Sequence, residues 1–393
     1  MLEWYVYSAL SNRWNGWSSW LRNTAKISYW VLLGLSVLSI LMMFFFNKFQ
    51  PRWVMNFWFS FVIFNLIVKT GFAVFLLIDD LRRLGIFTRN KINGVPAPEG
   101  GIKRSDFLLK AGLLAASVPM VSLSWGMIAG PYRYKVFSEK VKIPKLPKSF
   151  DGLKIVQISD IHSGSFYNKE AVQNGIDLVM AQKPDVIFFT GDLVNDQAKE
   201  MDPYIEMFSK LDAPLGVYSI LGNHDYGDYV SWESEEAHQK NNKALRDVHG
   251  KMGWRLLLNE HVYLERGDDK IGLIGVENWG AGFHKEGDLE KAYEGIDADV
   301  KLLLSHDPTH FDKVVKKDFK DINMMFAGHT HGAQMGIETA NFKWSPISLR
   351  YRKWAGLYEE DGQYLYINRG FGFLGYAGRL GIMPEITVME LEA

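Results

Sequence analysis

The chain has 393 residues, of which 47% are hydrophobic, and its length predicts more than one structural unit. It carries 44 Lys or Arg against 45 Asp or Glu, and the formal net charge of −1 argues against a basic field around the whole protein, so no nucleic-acid partner is expected. The absence of cysteine excludes disulfides, thiolate metal ligands and a cysteine nucleophile, so nitrogen and oxygen atoms must hold any metal ion.

Three apolar stretches predict transmembrane helices at about residues 27–46, 53–78 and 107–129. The first has no charged residue and is long enough to cross about 30 Å of hydrocarbon. Lys69 interrupts the second, and two alternatives stay open for it: a side chain that snorkels to the interface, or a polar site within the membrane. Residues 79–106 contain six Lys or Arg and a Pro- and Gly-containing segment, which predicts a loop. Residues 1–133 are therefore predicted to form a membrane region.

A second domain is predicted over residues 134–393, where short apolar segments alternate with amphipathic ones. This alternation is typical of a layered α/β fold. Strands are predicted at 154–158, 186–190, 217–221, 271–276, 301–305, 324–327, 364–368 and 386–389. Helices are predicted at 169–182, 201–210 and 234–249.

Short polar clusters follow five of the predicted strands. They are Asp160 and His162; Asp192; Asn223, His224 and Asp225; His306; and His329 and His331. A single cluster of this kind is typical of a turn or helix cap. Because the carboxyl ends of strands in an open α/β sheet meet at one edge, the five clusters together predict one site with enough ligands for two metal ions. The other histidines are predicted to be surface or core residues: His238, His249, His261, His284 and His310.

The ordered clusters resemble the motifs of the calcineurin-like metallophosphoesterases: Asp-x-His, Gly-Asp, Gly-Asn-His-Asp, a lone His and Gly-His-x-His. In this chain they stand at 160–162, 191–192, 222–225, 306 and 328–331. The resemblance covers about residues 155–335 and is greatest to the membrane-associated bacterial branch with N-terminal transmembrane helices. It implies a four-layer αββα sandwich preceded by transmembrane helices, and a hydrolase acting on phosphoester bonds.

The resemblance also implies a role for each site residue. One metal ion would be held by Asp160, His162 and His331, the other by Asn223, His306 and His329, and both by Asp192. His224 would approach the leaving-group oxygen as an acid or charge stabiliser, and Asp225 would orient the His224 imidazole.

Two divalent metal ions are the expected cofactors. A shared carboxylate can hold two cations about 3.5–4 Å apart, and together they can lower the pKa of a bridging water so that the hydroxide attacks phosphorus in line. Imidazole and carboxylate ligands suit Mn, Fe or Zn rather than Ca. We therefore expect a phosphomonoesterase or phosphodiesterase. One alternative is a pyrophosphatase acting on a lipid-linked nucleotide such as UDP-2,3-diacylglucosamine, and another is a catalytically silent binding module on a membrane scaffold.

Two further segments concern access to the site. Residues 226–262 form an insertion with four aromatic residues around an amphipathic helix, which fits either a cap over the site or part of the core. Residues 341–354 contain both basic and aromatic residues. This composition fits either a segment that contacts phosphate head groups or the lipid interface, or a solvated loop. The expected partners are therefore a phosphoester substrate and membrane lipid. The substrate would be lipid-linked if the protein is the pyrophosphatase.

The distribution of Lys and Arg predicts the side of the membrane. The six basic residues in 79–106 favour a cytoplasmic location for that loop, which would place the third helix running outward. Arg13, Arg22 and Lys26 would then also be inside, and the loop at 47–52 outside. The sequence thus predicts a multi-pass protein of the cytoplasmic (inner) membrane with an extracytoplasmic catalytic domain.

Overall fold

The computed structural model describes residues 1–45, 52–96, 98, 101–283, 285–339 and 341–393. The predicted loop at 47–52 lies almost wholly outside these residues, as does His284. The described residues form two compact units, Met1–Gly126 and Met127–Ala393.

Four helices make up most of the described part of the first unit. They are α1 (Leu2–Trp14), α2 (Ser19–Phe45), α3 (Arg52–Ile92) and α4 (Asp106–Ala129). Within the described residues, α2, α3 and α4 are long and apolar enough to cross a membrane. Large apolar side chains on these three helices are exposed, as expected for surfaces that meet lipid.

Helix α3 is longer than its predicted span. Its 41 residues extend about 60 Å, roughly twice the hydrocarbon thickness. The prediction of a loop from residue 79 is wrong up to Ile92, because this polar segment continues the helix. Ion pairs one turn apart support the continuation: Asp79 with Arg82 and Asp80 with Arg83.

The structure distinguishes the two alternatives for Lys69. Its side chain is buried, and its ammonium group lies 2.8 Å from a carboxylate oxygen of Glu3. The Tyr29 hydroxyl donates a hydrogen bond to the same carboxylate at 2.9 Å. Lys69 therefore belongs to a polar site among α1, α2 and α3. Helix α1, which supplies Glu3, was not predicted because it is too short to register as a span.

In the described part of the second unit, two six-stranded sheets form the framework. The first has the order β1-β14-β2-β3-β4-β5 and the second the order β12-β13-β9-β8-β7-β6. The first sheet consists of β1 (Lys135–Lys142), β2 (Leu153–Ile158), β3 (Val186–Phe189), β4 (Val217–Ser219), β5 (Arg255–Leu256) and β14 (Glu385–Glu392). The second consists of β6 (Glu260–Arg266), β7 (Asp269–Gly275), β8 (Lys301–Leu304), β9 (Met324–Ala327), β12 (Gly356–Glu360) and β13 (Gln363–Ile367). A short hairpin pairs β10 (Ile337–Glu338) with β11 (Lys343–Trp344).

Buried side chains define four layers. One apolar cluster joins the facing sides of the two sheets, with Phe188 of the first packed against Phe326 of the second. A second cluster lies between the first sheet and the helices α5 (Lys169–Ala181), α6 (Ile205–Phe208) and α7 (Glu235–Lys251). A third covers the outer face of the second sheet beneath α8 (Leu289–Tyr293) and the turn that leads into α9 (Lys316–Asp318). The predicted αββα sandwich is confirmed.

The eight predicted strands are all present, with ends that differ by a few residues from the predicted ones. Strands β2, β3 and β4 run parallel in the first sheet, and β8 and β9 run parallel in the second. Parallel strands bring their carboxyl ends to one edge, which places the five polar clusters together.

Candidate metal centre

The loops after β2, β3, β4, β8 and β9 bring the predicted ligand residues to one place. Two groups of side chains there could each hold a metal ion. The first contains Asp160, His162 and His331, and the second contains Asp192, His306 and His329. All of these residues except His329 are buried.

In the first group the ligand atoms converge closely. The Nε2 atoms of His162 and His331 lie 3.0 Å apart, and His331 Nε2 lies 3.2 Å from a carboxylate oxygen of Asp160. The Nδ1 atom of His162 makes no hydrogen bond with the described residues. Two imidazole nitrogens and a carboxylate facing one point are the donor set of a nitrogen–oxygen metal site.

In the second group, Asn223 adds an amide oxygen. Asn223 Oδ1 lies 2.8 Å from His329 Nδ1, and its Nδ2 donates to the Tyr229 hydroxyl at 2.8 Å. The bond to Tyr229 fixes the amide so that its oxygen points to the centre. The structure therefore brings together all seven predicted metal ligands.

Asp192 lies between the two groups. Its Oδ2 atom is 3.5 Å from His162 Nε2 and 3.1 Å from His306 Nε2. Its Oδ1 atom accepts a hydrogen bond from the backbone N–H of His224 at 2.8 Å. One carboxylate oxygen thus faces a histidine of each group, which is the position that a bridging ligand needs.

The backbone at the site is strained. Five site residues have left-handed conformations, with φ between 47° and 72°: Asp160, His162, Asp192, His329 and His331. Non-glycine residues rarely adopt such angles, and they persist where surrounding contacts impose them, often at functional sites. Two glycines leave room for the carboxylates, because a Cβ atom at Gly222 would lie 2.2 Å from Asp192 Oδ1 and one at Gly328 would lie 2.2 Å from Asp160 Oδ2.

The charges at the site fit bound cations. Burial alone would raise the pKa values of Asp160 and Asp192, but the nearby histidines hold both carboxyl pKa values well below the ordinary one. Burial lowers the pKa of His329 to about 4, which leaves its imidazole neutral as a metal ligand must be. For His306, burial opposes the charged form, but the attraction of Asp192 outweighs it and raises the pKa to about 10. The two carboxylates thus draw positive charge into the centre, which two divalent cations would supply.

The ring nitrogens that face away from the centre contact fixed partners. His306 Nδ1 lies 2.7 Å from the Thr190 carbonyl oxygen, which fixes its Nε2 toward Asp192. His329 Nε2 lies 2.8 Å from the Tyr351 hydroxyl, which leaves Nδ1 facing Asn223. Such contacts set the tautomer and orientation of metal-binding histidines. Tyr229 and Tyr351 lie in the two segments for which the sequence left alternatives open, because no local pattern connects these tyrosines to the ligands.

A cavity of about 250 Å³ lies over the two ligand groups, and His224, which is half-buried, lines it together with Asp192 and His329. The His224 Nδ1 atom lies 2.8 Å from the Asn195 carbonyl oxygen, so Nδ1 donates and Nε2 is left for a substrate. Asp225, by contrast, accepts hydrogen bonds from the backbone N–H groups of Gly222, Asp192 and Leu193 at 2.8–2.9 Å. Asp225 was expected to orient the His224 imidazole. In this structure its carboxylate holds the turns that carry Asp192 and Asn223, and the Asn195 carbonyl oxygen is the hydrogen-bond partner of His224 Nδ1.

The insertion at 226–262 contributes residues both to the core and to the cavity. Tyr226 and Trp254 are buried, and Trp254 packs in the core beneath the first sheet. Tyr229 lines the cavity, with its ring centroid 4.4 Å from that of His224. The segment at 341–354 is divided in the same way, since Tyr351 and Trp354 are buried whereas Phe342 and Trp344 are exposed.

Two family models match the chain. Residues 1–131 match "Probable Calcineurin-like phosphoesterase, transmembrane domain", and residues 153–333 match "Calcineurin-like phosphoesterase". The chain belongs to the calcineurin-like phosphoesterases. It is a membrane protein and a metal-dependent hydrolase that acts on phosphoester bonds.

Relatives of this phosphoesterase include proteins from animals and bacteria. A "Transmembrane protein with metallophosphoesterase domain" from Danio rerio is 28% identical over 92% of this chain and 79% of its own length. The "Uncharacterized metallophosphoesterase YkuE" of Bacillus subtilis is 29% identical over 67% of this chain and 87% of its own length. The "UDP-2,3-diacylglucosamine pyrophosphatase LpxG" of Chlamydia muridarum is 26% identical over 70% of this chain and 94% of its own length.

Proposed function

We propose that this phosphoesterase binds two divalent cations that share one carboxylate. The proposed ligands are Asp160, His162 and His331 for one cation, Asn223, His306 and His329 for the other, and Asp192 for both. The position of Asp192 Oδ2 carries the assignment, because it faces a histidine Nε2 of each group at 3.5 and 3.1 Å.

The donor set favours Mn, Fe or Zn, because imidazole nitrogen predominates and the oxygen-rich coordination typical of Ca is absent from the proposed set. Two such cations, when bound, polarise the phosphoryl group and activate water for in-line attack. The protein side chains would hold these cations, and the hydrogen bonds on the far sides of His306 and His329 would fix the orientation of those ligands.

His224 is proposed as the acid that protonates the leaving-group oxygen. Its Nδ1 proton is committed to the Asn195 carbonyl oxygen, so Nε2 is the atom that can carry a proton to a substrate in the cavity. Asp225 is proposed as a positioning residue, because its carboxylate holds the backbone of Asp192 and Gly222 and does not line the cavity.

The substrate is proposed to be a phosphomonoester or phosphodiester. A second candidate is a lipid-linked nucleotide diphosphate such as UDP-2,3-diacylglucosamine. The similarity to LpxG, which extends over 94% of that protein's length, is consistent with the second candidate, as is the presence of helices long and apolar enough to cross a membrane in the same chain.

A substrate panel with the full chain in detergent micelles tests the proposal. The protein is loaded with Mn²⁺, Fe²⁺ or Zn²⁺ and assayed on an aryl phosphate, an aryl phosphodiester, a nucleotide, a lipid phosphate and UDP-2,3-diacylglucosamine. Hydrolysis that depends on the metal is expected. Asp192→Asn serves as the matched control and is expected to lose turnover and at least one metal ion, because a neutral amide cannot replace an anionic bridge. Two tightly bound metal ions and a near-normal rate in that variant would exclude the assignment.

A further inference from the structure

One arginine lines the cavity over the candidate metal centre. The cavity has a volume of about 250 Å³, and Arg350 is the only Lys or Arg among the described residues that line it. Pockets that bury a whole drug-sized ligand usually measure about 300–1,000 Å³. The cavity therefore suits the phosphate part of a substrate, and the remainder of a larger substrate would lie outside it.

Two aromatic rings hold the Arg350 side chain. Its guanidinium carbon lies 5.2 Å from the centroid of the Phe283 ring and 5.6 Å from that of the Tyr351 ring. Contacts of this kind orient a guanidinium group and leave its N–H edges available. Within the described part of the chain, no carboxylate pairs with the Arg350 guanidinium and no acceptor takes its N–H groups, while the Arg350 backbone N–H donates to the Ile347 carbonyl oxygen.

The neighbouring basic residues are used differently. The Lys343 ammonium group donates to the Ala355 carbonyl oxygen at 2.6 Å. Lys353 is buried and pairs with Asp312 at 2.5 Å and with Glu360 at 2.9 Å. These lysines hold the segment in place, whereas the Arg350 guanidinium lines the cavity and contacts only aromatic rings among the described residues.

The ring of Tyr351 lies between the Arg350 guanidinium and His329 of the second ligand group. Tyr351, on which the guanidinium rests, contacts His329 Nε2 through its hydroxyl at 2.8 Å. The metal centre would bind the phosphate that is attacked. A second phosphate, joined through a bridging oxygen, would lie outside the two ligand groups. A guanidinium group can bind it there, because it meets phosphate oxygens with two parallel hydrogen bonds.

We propose that Arg350 binds the second phosphate of a diphosphate substrate and thereby selects diphosphate diesters over esters with a single phosphate. This inference rests on the proposed function, because Arg350 selects among substrates that the metal centre cleaves. One water molecule adds across the bridge: its oxygen bonds to the attacked phosphorus, and the bond from that phosphorus to the bridging oxygen breaks. The leaving phosphate keeps the bridging oxygen and the electron pair and takes up a proton from His224, the attacking water gives up a proton to solvent in exchange, and Arg350 offsets the negative charge of the leaving phosphate.

Three apolar side chains line the cavity beside Arg350: Phe283, Ile347 and Leu374. Leu349, the residue before Arg350, is 87% exposed. The group attached to the second phosphate therefore leaves the cavity along an apolar surface, which suits an apolar or aromatic substituent more than a highly charged one.

The test compares two soluble diesters on the full chain in detergent micelles with Mn²⁺. UDP-N-acetylglucosamine contains a diphosphate, whereas bis(p-nitrophenyl) phosphate contains one phosphate. The variants are Arg350→Gln, Arg350→Lys and the control Arg352→Gln. Arg352 is exposed, lies two positions away and is not among the described residues that line the cavity.

In Arg350→Gln, kcat/KM for the diphosphate is expected to fall about 10–100-fold more than kcat/KM for the single-phosphate diester, the range that hydrogen bonds to a charged group give. Arg350→Lys should recover part of the difference, because the charge remains without the paired donors. Arg352→Gln should leave the ratio of the two values unchanged.

An equal loss on both diesters, or no loss on either, would overturn the proposal. Calorimetry measures the Kd for UDP-N-acetylglucosamine in the same proteins, so the proposal is tested even if neither diester is hydrolysed. Hydrolysis of neither diester by the unmodified chain would count against the proposed function. A Kd unchanged by Arg350→Gln would count against the role of Arg350 alone.

Discussion

At the residue scale, the site depends on which nitrogen of each histidine faces the centre. Thr190 fixes His306 through Nδ1, Tyr351 fixes His329 through Nε2, and Asn195 fixes His224 through Nδ1. The other ring nitrogens of His306 and His329 face the ligand groups, whereas the other ring nitrogen of His224, Nε2, faces the cavity. The hydrogen bond on the outer nitrogen of each ring thus decides whether the ring faces a ligand group or the cavity.

This separation predicts different results for two alanine variants. His224→Ala should keep both metal ions and lose about 10²–10⁴-fold in rate, the usual contribution of a positioned proton donor. His306→Ala should lose metal as well as rate, because its Nε2 atom lies 3.1 Å from Asp192 Oδ2 in the second group. Metal analysis of the purified full-length variants measures the difference. Equal metal content in the two variants would show that His224 has no role separate from the ligands.

A second residue-scale prediction concerns acid stability. His249 is fully buried beside Trp254, and burial lowers its pKa to about 3 from the ordinary 6.5. Between these values the unfolded chain binds a proton at His249 that the folded chain does not, so stability falls as pH falls from 6.5 toward 3. Above pH 6.5 the imidazole is neutral in both states and makes no pH-dependent contribution.

The expected outcome is a smaller acid loss in His249→Gln. Between pH 7 and pH 5, unmodified protein should lose about 2 kcal/mol more unfolding free energy than the variant. Denaturant unfolding followed by tryptophan fluorescence measures both proteins, and the metal centre is common to both. Measurements at pH 8 provide the control, because they show only the packing change. Parallel pH curves would mean that His249 does not titrate with unfolding.

The sequence identified the ligands more readily than the residues that orient them. Each ligand directly follows a strand, so the fold class and the chain pattern together predict its place. Tyr229 and Tyr351 lie on loops, and they reach Asn223 and His329 only through tertiary structure. Asp225 was expected to orient the His224 imidazole, but its carboxylate bonds to backbone N–H groups instead, because neighbouring residues in a helical turn point in different directions.

At the scale of elements, the central strands were predictable and the edges were not. Strands β2, β3, β8 and β9 are almost entirely buried, so they read as continuous apolar runs. Strand β1, at the edge of the first sheet, contains five polar and three apolar residues, and only Val141 is buried, so its pattern was weak. The helical continuation of α3 past residue 78 was missed for a related reason, since hydropathy indicates where lipid ends and not where a helix ends.

The polar site among α1, α2 and α3 leads to a prediction about helix packing. Lys69→Met should destabilise the membrane unit by about 3 kcal/mol, because it leaves the Glu3 carboxylate without its cation. This is the lower end of the usual range, since the Glu3 side chain is 33% exposed. Thermal unfolding of the full chain in detergent micelles, followed by size-exclusion chromatography, measures the loss.

Two further variants make this experiment specific. The double variant Glu3→Gln with Lys69→Met should be more stable than Lys69→Met alone, because it removes the unpaired charge. Lys110→Met is the matched control, since Lys110 is exposed on α4. If Lys69→Met and Lys110→Met unfold at the same temperature, the ion pair does not contribute to helix packing.

At the scale of the whole molecule, the positions of the basic residues bear on which side of the membrane the catalytic unit faces. Arg13, at the end of α1, contacts Asp106, the first residue of α4. The end of α1 and the start of α4 therefore lie on one side of the membrane unit, the side where the basic segment 79–106 enters α4. This contact supports the proposal that Arg13 and that segment are both cytoplasmic, which would place the catalytic unit outside.

The basic residues after α4 favour the opposite arrangement. Residues 131–148 contain six Lys or Arg, as many as residues 79–106. A long domain is translocated largely regardless of its charge, whereas short loops follow the rule closely. We therefore give more weight to residues 79–106, which connect two membrane helices, than to residues 131–148, which lead into a long domain, and propose an extracytoplasmic catalytic unit.

Cysteine labelling tests this orientation, and the absence of native cysteine makes each introduced residue unique. Lys240→Cys places a thiol on the exposed face of α7, and it avoids Ser234, whose hydroxyl caps that helix. Asn93→Cys, just beyond α3, is the matched control on the proposed cytoplasmic side. A membrane-impermeant maleimide should label Lys240→Cys in intact cells and Asn93→Cys only after lysis. The reverse pattern would place the metal centre in the cytosol, where nucleotide-linked substrates are made, and would favour the lipid-linked nucleotide over exported phosphoesters as the substrate.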